Sequence, residues 1–426
     1  MFIQKGNLTM RTDNTIFIQI AAYRDPELIP TINSCIENAR YPENLRFGIV
    51  WQHDPTENVN NFKSDNRFRI LDFSWEESKG LCWARSLTQK LYANENYTLQ
   101  IDSHHRFDKD WDIRLIDMLK MTDCGKPILT TYAPSYEPGR EIDMDKHPLK
   151  MVPTTFTHYG TIRFVPRKFE DHECTGKPIR SRFVSGHFFF TYGLHCLEYK
   201  YDPNIYFAGD EISLSVRSFT LGYDLFHPHE TVIWHQYTRD NRAKHWDDHN
   251  IENFNSKKID STWLKTDEIS KMRIRKLLRE ENSKINLGIY DIGNKIPFDE
   301  YQKYAGIDFK SRSLHRYALE GKEPPVISAS ASDYSNNLIP PVFVQVDIDK
   351  SDFNQYTGCE HFKINVLNTS SDIIHKDLID NNEINFFKNS PKLEHIIEFH
   401  SKDSVASVEI EPVSNEIFYD KIIQYV

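Results

Sequence analysis

Four short apolar segments constrain what this chain can fold into. Residues 16–22, 47–51, 68–73 and 97–101 are each of strand length. After the first, Tyr23-Arg24-Asp25-Pro26-Glu27 breaks the run and opens a helix carrying Leu28, Ile32, Cys35, Ile36 and Ala39 on one face. Before the fourth, Gly80-Leu81-Cys82-Trp83-Ala84-Arg85 opens another helix that runs toward Tyr92. Strand and helix alternating in this way predict right-handed βαβ units and a mainly parallel sheet, an α/β fold. Ligands collect at the carboxyl ends of the strands in such sheets, so the residues that follow each segment are the ones to read for chemistry.

The fourth segment runs straight into Asp102-Ser103-His104-His105-Arg106. Asp102 and His104 are two apart and point the same way from an extended backbone. One hard oxygen and one imidazole nitrogen suit Mn²⁺, with Mg²⁺ or Co²⁺ as second choices and Ca²⁺ a poorer fit. Two protein ligands leave coordination positions that a diphosphate can fill. The same residues also fit a plain turn, with Asp102 as a cap and the histidines in solvent, and the pattern alone does not choose.

The 426 residues are enough for two or three domains, and 52 Lys and Arg against 62 Asp and Glu give a formal charge of −10 with no basic patch for nucleic acid. The six cysteines form no Cys-x-x-Cys pair and are expected to stay reduced in a cytoplasm, although their even number is also compatible with a disulfide. Met1-Phe2-Ile3-Gln4-Lys5-Gly6-Asn7 lacks the apolar core of a signal peptide, and no run has the length of a membrane span.

The succession Ala22-Tyr23-Arg24-Asp25-Pro26-Glu27, then Gly80 through Arg85, then Leu99-Gln100-Ile101-Asp102-Ser103-His104-His105-Arg106-Phe107 resembles the cytosolic hydroxyproline-type polypeptide α-N-acetylglucosaminyltransferases. Those enzymes are related to the mucin-type polypeptide N-acetylgalactosaminyltransferases. The resemblance spans roughly residues 15–310 and implies a GT-A fold, a UDP-sugar donor and a divalent metal at an Asp-x-His variant of the Asp-x-Asp motif. It implies that Ala22, Tyr23, Arg24 and Asp54 hold uracil and ribose, that Arg85 meets the diphosphate, and that Asp102 and Ser103 face the donor. The alternatives are strand-to-helix capping for the first group and an exposed salt bridge for Arg85.

Further along, Val184-Ser185-Gly186-His187-Phe188-Phe189-Phe190 places two small residues before an aromatic strand. Gly186 lets backbone approach a ligand closely, and His187 is either a donor or acceptor contact or a packed strand histidine. Next, Ala208-Gly209-Asp210-Glu211 opens an amphipathic helix ended by Gly222. Helix capping accounts for an acidic pair there. The mucin-type relatives read Gly-Gly-Glu-Asn at this point, so the resemblance puts Asp210, with Glu211, beside the sugar and acceptor as the catalytic carboxylates. An apolar run, Thr231-Val232-Ile233-Trp234, then delivers His235, which matches the late metal ligand of the family. Tyr237, Arg239, Arg242, Lys244 and His245 follow as a basic, aromatic loop able to close over a diphosphate or to remain a solvated surface.

The expected reaction is therefore metal-dependent transfer of N-acetylglucosamine from UDP to a protein or glycan hydroxyl, with retention. Mn²⁺ or Mg²⁺ would be held by Asp102, His104 and His235. The rival readings are a polysaccharide or other glycan-modifying transferase of the same fold, and a non-catalytic sugar-binding or scaffold protein. Residues 134–180 read as irregular apart from 161–165, and a helix is expected over 269–281. The expected domains are 1–320 for the transferase, a linker over 321–335 and a β-rich accessory domain over 336–426, with strands over 342–346, 362–366, 395–399 and 406–410. That last domain leaves acceptor binding and homo-oligomerisation open.

Overall fold

The computed structural model describes residues 14–426 except 57–59, 141–143, 239–241, 282, 350–355, 357–358, 382, 385–391 and 415–418. The N-terminal heptapeptide and Arg239 lie outside the described residues. The chain forms two compact units: Met1–Pro153, Phe164–Phe309 and Tyr317–Ile327 make the first, and Thr154–Arg163, Lys310–Arg316 and Ser328–Val426 the second.

The first unit is an α/β fold built on an eight-stranded sheet. Strands β1 (Ile16–Tyr23), β2 (Leu45–His53), β3 (Phe68–Ser74) and β4 (Tyr97–Ile101) lie in the order β3-β2-β1-β4 and are all parallel. β1, β2 and β4 are buried almost end to end, as strands covered on both faces must be. Polar Gln19 is tolerated inside β1 because its amide donates to Thr98 Oγ1 at 2.9 Å. Helix Leu28–Asn38 turns Leu28, Thr31, Ile32 and Cys35 to the core, and helix Trp111–Met121 adds Trp111, Leu115, Ile116 and Leu119 to the same cluster.

Beyond β4 the sheet changes direction. Strand Phe188–Tyr192 runs antiparallel to both β4 and Pro127–Thr130, with Phe188 opposite Ile101. An antiparallel strand brings its beginning to the edge where parallel strands end, so Ser185, Gly186 and His187 arrive beside Asp102. A small ribbon completes this edge: His105–Phe107 pairs antiparallel with Ile233–His235, with His235 directly opposite His105.

Residues 134–180 are more ordered than their composition implies. Leu149–Phe156 is a strand paired with Ile162–Lys168. It reads as irregular because it contains Pro153 and Lys150, yet Lys150 is buried and neutralised by Glu173 at 2.7 and 2.8 Å. The helix expected over 269–281 is Trp263–Leu277, started by Thr262, whose side chain accepts the Lys265 N–H. Inside the Ser- and Ala-rich stretch, Ser330 caps a short helix, Ala331–Asn336.

The second unit is β-rich. One sheet pairs Pro341–Asp349 with Lys392–His400, and the other runs Ile373–Ile379, His361–Asn368, Val405–Val413, Ile422–Tyr425 in space. Alternate residues of both, including Val344, Val346, Phe362, Ile364, Ile397, Val408 and Ile410, form one apolar cluster, as in a sandwich. Among the described residues no helix is long and apolar enough to cross a membrane.

Candidate active site

The turn after β4 is fixed from below by helix Leu28–Asn38. Buried Thr31 donates its hydroxyl to Ser103 O at 2.9 Å and accepts the His105 N–H at 2.8 Å. Asp102 and His104 are thereby held over the strand ends, and the ribbon sets His235 against them. Asp102 Oδ2 stands 3.5 Å from His235 Nε2 and 3.8 Å from His104 Nε2. One ligand atom from each of the three lies within 4.8 Å of the others. Burial would raise the Asp102 pKa, but His235, Arg85 and His104 hold it well below the ordinary carboxylate value.

The donor set fits a divalent ion. His235 is buried, and neither of its ring nitrogens makes a hydrogen bond. Burial above all, with His187 beside it, pushes its pKa well down, so the imidazole is neutral with a lone pair to give. His104 shares its Nδ1 proton with Asp25 Oδ2 at 2.7 Å, which leaves Nε2 for the metal side. Asp25 also accepts Ser103 Oγ at 2.7 Å and Arg242 Nη1 at 3.2 Å. Burial opposes its ionisation, and those donors, led by His104, bring its pKa down to about 2.

Arg85 sits differently from the expectation of a cation at a helix start. It lies in the second turn of Leu81–Gln89, buried, and its guanidinium bridges two carboxylates: Nη1 to Asp210 and, at 2.8 Å, Nη2 to Asp102. Asp210 opens helix Asp210–Thr220 after Gly209, whose φ of 93° suits glycine, and also accepts Cys82 Sγ at 3.2 Å. Burial raises its pKa despite Arg85. Glu211 accepts Tyr132 Oη at 2.6 Å and the Gly186 N–H at 2.9 Å, and burial pushes its carboxyl up to about 7. Gly186 is needed for closeness: a Cβ there would lie 2.9 Å from both Arg85 Nη1 and Asp210 Oδ2.

His187 has both nitrogens engaged. Nε2 accepts the Ala133 N–H at 3.1 Å, Nδ1 faces Ser185 Oγ at 3.1 Å, and the ring stacks on His235 with centroids 4.3 Å apart. It packs the metal-side histidine and leaves neither nitrogen for a ligand. Its pKa falls to about 4, chiefly through burial.

An open cleft of about 770 Å³ adjoins the Asp102–His104 turn, and Tyr23, Asp25, Gln52, Tyr206, Arg242 and Trp246 are among the residues lining it. Of the residues expected to hold the donor, Tyr23, Asp102 and Ser103 line it. Ala22 is fully buried, with its carbonyl accepting Gln52 Nε2 at 3.0 Å. Arg24 is paired twice with Asp248, at 2.8 and 2.9 Å, and Tyr23 Oη donates to the same carboxylate at 2.8 Å. Asp54 accepts the backbone and hydroxyl of Thr56 and lies 3.9 Å from Arg24. Of the basic loop, Arg242, Lys244 and His245 line the cleft. Tyr237 is 40% exposed and donates to Ala133 O.

Asp248 escaped the sequence reading, because it has no spacing relation to the two residues it binds. In the sequence Asp25 reads only as the end of the strand segment facing uracil and ribose, or as a cap, and its bond to His104 has no sequence signal.

Among solved structures, the chain is similar to GalNAc-T7 with UDP, GalNAc and Mn²⁺, at 13% identity and a TM-score of 0.47, over 68% of this chain and 56% of that one. It thus spans little more than half of that relative's length. It is also similar to TarS of S. aureus, at 9% identity and a TM-score of 0.35, over 97% of this chain and 77% of that one. A shorter form, TarS 1-349 in complex with UDP-GlcNAc, matches at 11% identity and a TM-score of 0.34, over 61% of this chain and 72% of that one. No curated protein sequence matches. The family model described as "Glycosyltransferase (GlcNAc)" matches residues 15–64 and 55–311, the part of the chain that contains every residue of the site above. The chain belongs to this glycosyltransferase family.

Proposed function

We propose that this chain moves a sugar from a UDP-sugar to an acceptor hydroxyl on a protein or glycan. The proposed sugar is N-acetylglucosamine, the configuration is retained, and the site is loaded with Mn²⁺ or Mg²⁺ on Asp102, His104 and His235. One observation carries the reading: a buried, neutral His235, neither of whose nitrogens makes a hydrogen bond, faces Asp102 and His104, which line the cleft. The family match supports the donor class.

A divalent ion bound there supplies positive charge for the diphosphate leaving group. The chain's own residues do the rest. Asp25 orients the ligand His104, and Arg242 and Lys244 offer further cations to the cleft. Asp210 and Glu211 border the Gly186 backbone, where the sugar and acceptor are proposed to meet. Both oxygens of each already accept a hydrogen bond, from Arg85 and Cys82 in one case and from Tyr132 and Gly186 in the other. That engagement suits carboxylates that hold sugar hydroxyls and supports retention over a reaction needing a free general base. The six unpaired cysteines support a cytoplasmic setting.

The test is UDP release from a panel of UDP-sugars with Mn²⁺ or with chelator, comparing wild type with Asp102→Ala. The expected result is metal-dependent release from UDP-N-acetylglucosamine that falls about 10²-fold or more in the variant. Release from another UDP-sugar instead would overturn the proposed donor. No release, together with no UDP binding by calorimetry, would leave the sugar-binding or scaffold reading in its place.

A further inference from the structure

We propose that Asp25 is the positioning residue of the metal centre and that it ties the ligand His104 and the cleft residue Arg242 to a single carboxylate oxygen. The inference rests on the metal-dependent reading above and extends it to the carboxylate behind the ligand His104.

Asp25 is buried at the end of the segment following β1, and its two oxygens have separate tasks. Oδ1 accepts the Glu27 N–H at 2.9 Å, which fixes the carboxylate to the start of helix Leu28–Asn38. Oδ2 receives three donors: His104 Nδ1 and Ser103 Oγ, each at 2.7 Å, and Arg242 Nη1 at 3.2 Å. Bonded to Oδ2 beside the donors of Ser103 and Arg242, His104 Nδ1 serves as a donor as well, and its Nε2 is turned toward Asp102 and His235. Ser103 lies between the two ligands of the turn, and its hydroxyl ties the turn to the same oxygen.

Arg242 makes the longest of the three bonds. Its other nitrogen, Nη2, reaches Gln236 O at 3.4 Å, and Gln236 directly follows His235. Arg242 also lines the cleft. It is therefore the donor most readily given up by Asp25 when an anionic diphosphate competes for it. Asp25 would then keep His104 in place while Arg242 turns to the nucleotide. Metal affinity and nucleotide affinity are predicted to separate: Asp25 controls the first, Arg242 the second.

The full chain with ¹⁵N-labelled histidine, free of metal, gives the first readout. Two-bond ¹⁵N–¹H correlation should show His104, assigned by its loss in His104→Asn, as the Nδ1–H tautomer. This measurement needs no variant at Asp25 and no activity. The second readout is Mn²⁺ binding followed by electron paramagnetic resonance. Asp25→Asn should bind Mn²⁺ about 10- to 100-fold more weakly. Arg242→Gln should keep Mn²⁺ affinity within about twofold while UDP binding in the presence of Mn²⁺ falls about tenfold. An Nε2–H tautomer in the wild type, or wild-type Mn²⁺ affinity in Asp25→Asn, would overturn the role of Asp25 alone. A wild type that binds no Mn²⁺ would overturn the metal-dependent function and this role together.

Discussion

Arg85 holds Asp102 and Asp210 on one guanidinium, so the proposed metal side and the proposed acceptor side of the site share a buried cation. Glu211 stands next to this pair without such a partner. Its hydrogen bonds come from Tyr132 and the Gly186 backbone, both neutral, and burial dominates. The consequence is a pH dependence with a definite sign. The folded-state pKa of about 7 lies above the ordinary 4.5. The native state therefore binds the proton more tightly than the unfolded chain, and the stabilisation this gives is lost as pH rises through 7. Glu211→Gln, which cannot ionise, should gain on the wild type by about 2 kcal/mol between pH 5 and pH 8 in urea denaturation. An equal difference at the two pH values would mean that Glu211 is not held protonated by its surroundings.

The ribbon of His105–Phe107 and Ile233–His235, the helix Leu28–Asn38 and the antiparallel strand Phe188–Tyr192 together place the site. The helix acts through one hydroxyl. Thr31→Val keeps the shape and removes the acceptor of the buried His105 N–H, so it should cost about 2 kcal/mol in stability. Measured Mn²⁺ affinity in the same variant should fall as the turn loosens, and unchanged stability would show that the turn does not depend on the helix. Much of this arrangement was readable beforehand, because β1 to β4 are short apolar runs, Asp102 and His235 each directly follow an apolar residue, and His104 comes two residues after Asp102. What was not readable has physical causes. Strand direction is absent from a pattern of apolar residues, so the reversal at Phe188 leaves no mark. Strand Leu149–Phe156 is disguised by a lysine that is buried only because Glu173 neutralises it. Asp25 owes its importance to partners on other strand ends and loops, which no local spacing records. Arg85 shows the same limit: its helix was legible, but the two carboxylates that claim it come from separate segments.

The two units each have their own apolar core, one around the β1–β4 sheet and one between the two smaller sheets. Every cleft-lining residue belongs to the first unit. Scanning calorimetry should therefore resolve two transitions, of which Mn²⁺ with UDP raises only one, by several degrees at saturating ligand. A single transition that moves as a whole would mean that the units unfold together. The ribbon also bears on how the protein is made. Asp102 and His104 leave the ribosome long before His235, and the pairing of Ile233–His235 with His105–Phe107 is what brings the third proposed ligand to them. A nascent chain shorter than this holds only a two-residue chelate, too weak to retain an ion. With the proposed ligand set, metal capture would be a late event in biosynthesis, reserved for chains that have already closed the ribbon across the finished sheet.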